Sequence, residues 1–381
     1  MSSSDSLSSH RIFRLKPDIF MEKDLKTCFE NLAINENDLI ITGSSSLQKI
    51  KETNRAKQAT ILETKKYGTG EPHESWVDQI LEESNKKDFH RVIAIGGGGI
   101  IDIAKFCVFG DGRSIHQLFN DKEKLNKNRE LIAIPTTCGT GSEVTSVAVV
   151  EIETLKSKLG LQIDALFPDK SILIGDMLEN LPYSVFANTS IDALVHAIES
   201  LLSPKANVYT DLFAKKAIQI IVYNFLEIDG KQCLPNNLQN ALIAANMAGI
   251  AFSIAGCATM HALSFPLGAR YHLAHGEAVY AVMCSTLNYY KNIGVSLDKL
   301  EESLKDLLPD SRDRVKDMVA LLRRNHLEPS FEKMNITEPE CRDMAKLVYE
   351  KQQRLLVNSP RELSEKDLEI IYKNCLKKER T

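Results

Sequence analysis

The sequence predicts an α/β N-terminal domain built on a parallel sheet, followed by an all-α C-terminal domain. Three observations predict it. Short apolar runs alternate with amphipathic stretches through the first half, the pattern of strands and helices laid down in turn. After Leu181-Pro182 the β-branched runs thin out and helical periodicity takes over. One apolar run also leads straight into four glycines at 96–99, where a buried strand can turn into a helix beneath a phosphate. A chain of 381 residues holds roughly two or three domains. Its 43% of hydrophobic residues suffice for two cores, and a net charge of −4 gives no basic footprint for nucleic acid.

The segment 1–10 lacks a basic and apolar signal pattern and is expected to be a frayed tail. Runs at 38–42, 59–62, 91–95, 131–134 and 171–174 read as strands, with helices at 74–85 and 100–108 between them. A further strand or hairpin is expected at 144–151. The boundary falls near residue 182, giving domains 1–182 and 183–381. The weakly apolar stretch 241–262 contains Asn246 and ends beside a candidate ligand, so it reads as a close-packed buried helix rather than a membrane span. Pro266 and Gly268 are expected to end one helix and let another begin. Amphipathic helices are expected at 311–325, 338–356 and 364–377, the second opened by a Thr337–Glu340 capping box. Asp367 and Lys377 suit the two ends of the last. None of the eight cysteines forms Cys-x-x-Cys, which excludes a thiol redox motif or zinc ribbon and points to a reducing cytoplasm.

The chemistry concentrates in three places. The backbone N–H groups of Gly97, Gly98 and Gly99 can cradle a pyrophosphate, with Asp102 and Lys105 one turn further on. A tight turn without a ligand is the plain alternative, because neither the usual dinucleotide fingerprint nor a Walker loop is present. A second loop, Pro135-Thr136-Thr137-Cys138-Gly139-Thr140-Gly141-Ser142-Glu143, carries hydroxyls at the end of another strand, where open α/β sheets bind ligands. The third place is a candidate metal site. Asp192 and His196 are four apart on one helix face, and His261 and His275 bracket the Pro266 segment. One carboxylate and three imidazoles suit Fe²⁺ or Zn²⁺, although each histidine alone is more often structural. Glu199 is either a partner that orients a ligand or an ordinary helix carboxylate.

These segments together resemble the iron-containing (group III) alcohol dehydrogenase family. The match runs through Gly-Gly-Gly-Gly-x-x-Asp-x-x-Lys at 96–105, Pro-Thr-Thr-x-Gly-Thr-Gly-Ser-Glu-Val-Thr at 135–145, Asp-Ala-Leu-x-His-Ala-Ile-Glu at 192–199, His-Ala-Leu-Ser at 261–264 with His-Gly-Glu-Ala at 275–278, and Asn358-Ser-Pro-Arg361. The resemblance implies a Rossmann-like α/β domain joined to a helical one, the dehydroquinate synthase-like arrangement. It implies Asp192, His196, His261 and His275 as metal ligands, and Gly97, Gly98, Asp102, Thr136, Thr137 and Lys158 as contacts of NAD or NADP. Ser142 belongs to the same loop, and Phe252 to an apolar wall beside the substrate. It also implies a homodimer without nucleic acid or membrane partners, acting on a small alcohol or aldehyde. The segments 66–72, 136–145, 203–206 and 271–278 are most similar to the branch acting on 4-hydroxybutyrate and succinate semialdehyde. Another short-chain alcohol, lactaldehyde or propanediol, and a dehydroquinate-synthase-like lyase reaction remain alternatives.

Two departures from the family pattern carry expectations. Phe265 stands where many members have a proposed proton-relaying histidine, so the proton must leave by water, cofactor ribose or another side chain such as His272. Gly43-Ser44 stands where many NAD-specific members carry an acidic residue, which predicts tolerance of NADP. A carboxylate substrate also needs a cation or donor, for which Arg270 and His272 are the candidates.

Overall fold

The computed structural model describes residues 12–153, 157–326 and 328–376. The tail expected at 1–10 and the helix end expected at Lys377 lie outside the described residues.

Six strands form one wholly parallel sheet: β1 (Asp18–Met21), β2 (Asp38–Thr42), β3 (Thr60–Glu63), β4 (Arg91–Gly96), β5 (Glu130–Pro135) and β8 (Lys170–Leu173), in the order β1-β8-β5-β4-β2-β3. The central strands are apolar on both sides because both sheet faces are covered. Leu39, Ile41, Val92, Ala94, Leu131 and Ala133 face one core, while Ile40, Ile93, Ile95, Ile132 and Ile134 face the other. The first core is closed by α3 (Glu74–Ser84), α4 (Gly98–Cys107) and α5 (Ile115–Asn120), the second by α1 (Leu25–Asn31) and α2 (Ser44–Lys51). From β2 the chain moves outward to β3, and from β4 it moves the other way to β5. The order therefore reverses between β2 and β4, where open α/β sheets leave a crevice at the strand ends.

The expected element at 144–151 is one arm of an antiparallel hairpin, β6 (Val147–Ile152) with β7 (Ser157–Gln162). Lys105 anchors it to α4. Its fully buried ammonium donates to Ser142 Oγ (2.7 Å), Thr145 Oγ1 (3.1 Å) and the Val147 carbonyl (2.6 Å).

The second half is helical: α6 (Tyr183–Leu202), α7 (Val208–Ile228), α8 (Leu238–Ala255), α9 (Thr259–Tyr271), α10 (His275–Asn292), α11 (Asp298–Ser303), α12 (Arg314–Asn325), α13 (Glu338–Lys351), α14 (Gln353–Leu356) and α15 (Glu365–Leu376). One apolar cluster runs through it, with α8 packed against α6 and α7. Helix α8 has the length and hydropathy of a membrane span, but it is a core helix whose Asn246 donates to Glu143 Oε1 at 2.9 Å. The expected helix 241–262 is two helices, because Gly256 (φ 80°) breaks the chain between α8 and α9. Pro266 does not end a helix. It lies buried inside α9, which runs on to a left-handed cap at His272 (φ 55°). The 338–356 segment opens with the expected capping box and breaks at Gln352 into α13 and α14. The halves approach closely at Gly141 and Gly249, where a Cβ on Gly141 would lie 2.4 Å from the Gly249 Cα.

Candidate active site

Helical spacing puts Asp192 and His196 on one face of α6, both buried. The turn after α9 returns the chain so that His275, the first residue of α10, faces them. Asp192 Oδ1 lies 3.9 Å from His196 Nδ1, 3.5 Å from His261 Nε2 and 3.6 Å from His275 Nε2. His196 stacks on His261 with ring centroids 4.4 Å apart. Asp192 Oδ1, His196 Nδ1 and His261 Nε2 are buried without any hydrogen-bond partner. Three orphaned donor and acceptor atoms converging at such distances would be costly to bury unless a cation satisfies them. The donor set of one carboxylate oxygen and imidazole nitrogens fits a divalent first-row metal.

The ligands are held from behind. Glu199 is fully buried; its Oε2 accepts from His261 Nδ1 (2.7 Å) and the Ala258 N–H (2.7 Å), and its Oε1 from the Met260 N–H (2.5 Å). Glu199 thus caps α9 and fixes the His261 tautomer so that Nε2 points at Asp192, which decides between the two readings of this residue. The Gly139 backbone lies close enough to His196 to favour its protonated form against burial, which brings the 135–145 loop up to the cluster. Burial pushes His196 down to about 3. Burial opposes protonation of His261 as well, but Glu199 and Asp192 outweigh it and push His261 up to about 9. Burial raises Asp192, yet the three histidines prevail and hold it well below the carboxylate range. Phe252 stacks on His196 at 4.2 Å and Phe265 on His275 at 6.4 Å, so aromatic faces cover two ligands. The sequence reading missed Cys257, whose thiol lies with the His196 and His261 nitrogens in a group all within 4.8 Å of one another. Its only sequence signal was its place four residues before His261.

On the sheet side, Gly97 caps α4 and Gly98 and Gly99 open it, at the strand-order reversal. A Cβ on Gly98 would lie 2.6 Å from Thr140, so this glycine is needed for the two loops to pack together. Thr136 is buried and its N–H bonds the Gly96 carbonyl; Thr137 lies beside Gly97. Asp102 and Ser142, both expected near the cofactor, are joined to each other. Ser142 Oγ donates to Asp102 Oδ1 (2.5 Å), and Oδ2 takes the Val149 N–H (3.0 Å). Lys158, on β7, pairs with Glu71 at 3.4 Å, and its charge reaches His275. At the end of β2, Gly43 caps α2, and Ser44 Oγ donates to Glu63 Oε1 (2.8 Å) at the end of β3. A carboxylate thus stands at the end of β3, beside the strand end where β2 lacks one, a placement the sequence alone concealed.

Arg270 and His272 are not brought to the cluster. Nine residues beyond His261 on a helix is half a turn round and about 13 Å along the axis. Arg270 is exposed there; the Glu340 carboxyl, held down first by Thr337 and then by Tyr271, also feels its charge. His272 is exposed at the left-handed cap. Among the described residues neither makes a hydrogen bond or ion pair with the cluster, so the carboxylate anchor and the proton relay expected at them gain no support from these placements.

A family model described as "Iron-containing alcohol dehydrogenase" matches residues 19–174, and one for the C-terminal part of the Fe-containing alcohol dehydrogenase family matches 186–376. The chain belongs to the iron-containing alcohol dehydrogenase family. It is an oxidoreductase of that family by the same finding and by its relatives. It is 34% identical over 369 residues to the 4-hydroxybutyrate dehydrogenase of Clostridium kluyveri, covering 95% of this chain and 99% of that protein. It is 36% identical over 208 residues to the 1-propanol dehydrogenase of Salmonella typhimurium, covering 54% and 52%. The fold matches the sulfoacetaldehyde reductase from Bifidobacterium kashiwanohense, solved in complex with NAD+, at a TM-score of 0.83 and 23% identity over 96% of this chain and 99% of that one. A 1,3-propanediol oxidoreductase gives 0.81 at 21% identity over 95% and 99%. For this family member the α/β plus all-α architecture is the expected one.

Proposed function

We propose that the protein is a metal-dependent NAD(P) dehydrogenase that interconverts a small primary alcohol and its aldehyde, with 4-hydroxybutyrate and succinate semialdehyde as the pair. The observation that carries it is the set of buried, partnerless atoms on Asp192, His196 and His261. With His275 these residues would hold Fe²⁺ or Zn²⁺. When bound, the ion supplies Lewis-acid polarisation of the substrate oxygen and the nicotinamide supplies or accepts the hydride. Glu199 orients His261 through its Nδ1 hydrogen bond. Phe252 and Phe265 exclude water from the covered ligand faces. Phe265 carries no proton, so none is moved at that position. Gly97, Gly98 and Gly99 offer N–H groups to the pyrophosphate, with Thr136, Thr137 and Lys158 beside it, while Asp102, Lys105 and Ser142 position the second loop. The carboxylate of Glu63, steadied by Ser44, favours NAD over NADP, against the tolerance that Gly43 alone predicts.

We take residue 182 as the boundary between the nucleotide-side and metal-side halves. We also take a reducing cytoplasm as the setting for eight free cysteines, and a homodimer as the assembly.

The test is reduced-nicotinamide formation from 4-hydroxybutyrate and from 1-butanol after reloading with Fe²⁺ or Zn²⁺. His261→Ala is expected to abolish turnover while leaving nucleotide binding intact. Full activity in the metal-stripped protein sinks the proposal, and a lyase reaction is recognised by product without net reduced nicotinamide.

A further inference from the structure

The proposed substrate carries a carboxylate, and neither Arg270 nor His272 is placed to meet it. Another cation is. Arg354, on α14, lies over the Phe265 ring at 5.9 Å from its centroid. That ring in turn stacks beside the candidate ligand His275 at 6.4 Å. The Arg354 guanidinium and the Cys257 thiol are also close enough to act on each other electrostatically. Arg354 therefore approaches the candidate metal cluster through Phe265, with the Cys257 thiol within electrostatic reach. Among the described residues no carboxylate pairs with it. Most arginines at the edge of a charged protein find an acid; one that stacks on an aromatic ring and keeps its fork of donors free is prepared for an external anion.

We infer that Arg354 is the substrate's anion anchor: its guanidinium receives the far carboxylate of a short ω-hydroxy acid while the hydroxyl end lies at the Asp192–His275 cluster. This deepens the dehydrogenase reading above and rests on it. The lengths agree. The Arg354 guanidinium carbon is at most about 12 Å from the His275 ring centre. A four-carbon hydroxy acid spans roughly 5–6 Å at ordinary bond lengths, leaving space for a metal–oxygen bond at one end and a charge-assisted hydrogen bond at the other. Phe265 then has a use that a histidine would lack: a flat apolar face that holds the guanidinium and competes for no anion. Lys158 is the rival cation whose charge reaches His275, but it is already paired with Glu71 and sits on the β6–β7 hairpin.

The experiment compares reduction of succinate semialdehyde with reduction of butanal, an uncharged aldehyde of equal length, in the full-length, metal-loaded enzyme. For Arg354→Gln we expect KM for succinate semialdehyde to rise roughly 30- to 100-fold, the loss of one charge-assisted pair, with butanal changed less than about threefold. Arg354→Lys is expected to restore part of the loss, and serves if the glutamine variant folds poorly. Parallel losses on both aldehydes overturn the inference, as does an unchanged KM for succinate semialdehyde. If the parent enzyme shows no preference for the charged aldehyde, the substrate reading fails, and butyrate inhibition of butanal reduction decides the anchor separately. Inhibition present in the parent and lost in Arg354→Gln upholds it; inhibition absent in the parent, or equal in both proteins, overturns it.

Discussion

At the scale of single residues, the proposed preference for NAD turns on Glu63, which stands beside the position where Gly43 offers no acid. In register, Thr42 pairs with Glu63, so both strand ends open on the same crevice. A carboxylate there accepts ribose hydroxyls and repels a 2′-phosphate. Glu63→Gln is expected to raise the NADP-to-NAD ratio of kcat/KM about tenfold, which corresponds to about 1.4 kcal/mol of removed repulsion. Steady-state kinetics with both nicotinamides check it, and a parent enzyme already indifferent to the two would refute it. The metal ligands give a second prediction. His261, raised to about 9 by Glu199 and Asp192 over the opposing effect of burial, is an imidazolium at neutral pH in the metal-free protein. Its favourable contribution to the metal-free fold is complete below the ordinary histidine range and disappears as pH climbs through 9. A metal must displace that proton, whereas His196, pushed down to about 3 by burial, is already neutral. Metal affinity should therefore rise about tenfold per pH unit between the ordinary histidine range and 9, with about one proton released at neutral pH. Titration of Zn²⁺ into stripped protein, in buffers of different protonation enthalpy, measures that proton; none released would contradict the assignment. The pairing of Asp192 with His196 was legible because helical spacing is a local pattern, whereas His261 and His275 joined them only through the family resemblance. Glu63 and Arg354 were not legible, because each meets its partner only across strands or helices.

At the scale of elements, Lys105 is the pin between α4 and the 142–149 loop. It makes three hydrogen bonds with no exposure and sits 3.5 Å from Asp102, whose own carboxylate is otherwise bound to Ser142 and Val149. Lys105→Met strands that carboxylate, and a broken buried pair costs about 3–5 kcal/mol. Denaturant unfolding should show a loss of that size, with part of it regained in Asp102→Asn/Lys105→Met; an unchanged midpoint would mean that the pin is dispensable. The parallel strands were readable because burial on both faces leaves uninterrupted apolar runs such as Leu39-Ile40-Ile41. β1 was missed because its four residues are all exposed, and β7 because its Lys158 and Gly160 interrupt any apolar run. Pro266 misled for a different reason. A proline removes one helical hydrogen bond and crowds the preceding turn, but its cost is finite, about 3 kcal/mol, and packing can offset it. Here α9 is held by α10, α13 and α14 on its flanks.

At the scale of the whole molecule, the sheet ends on two edge strands, of which β1 is the more exposed. β1 is an edge strand, and among the described residues nothing pairs with its outer side. Ile19, Phe20 and Met21 are 39%, 42% and 65% exposed, side chains that a solitary edge strand would be expected to avoid. A two-fold axis through that edge would set β1 of one copy antiparallel to β1 of another, so that each exposed apolar residue meets its own counterpart region and the unpaired backbone groups are satisfied. The opposite edge, β3, is half-buried and ends at Glu63, a charge that discourages the same contact. The homodimer is therefore expected to form through β1 and not β3. Light scattering at micromolar concentration should give a dimer for the parent chain and a monomer for Phe20→Lys. Circular dichroism of the two should be the same, because Phe20 contributes to neither sheet core. A parent chain that runs as a monomer, or a Phe20→Lys variant that remains dimeric, would move the interface elsewhere. The metal cluster is assembled from α6, α9 and α10 of one chain, so the monomeric variant should still bind Zn²⁺ with the parent's stoichiometry.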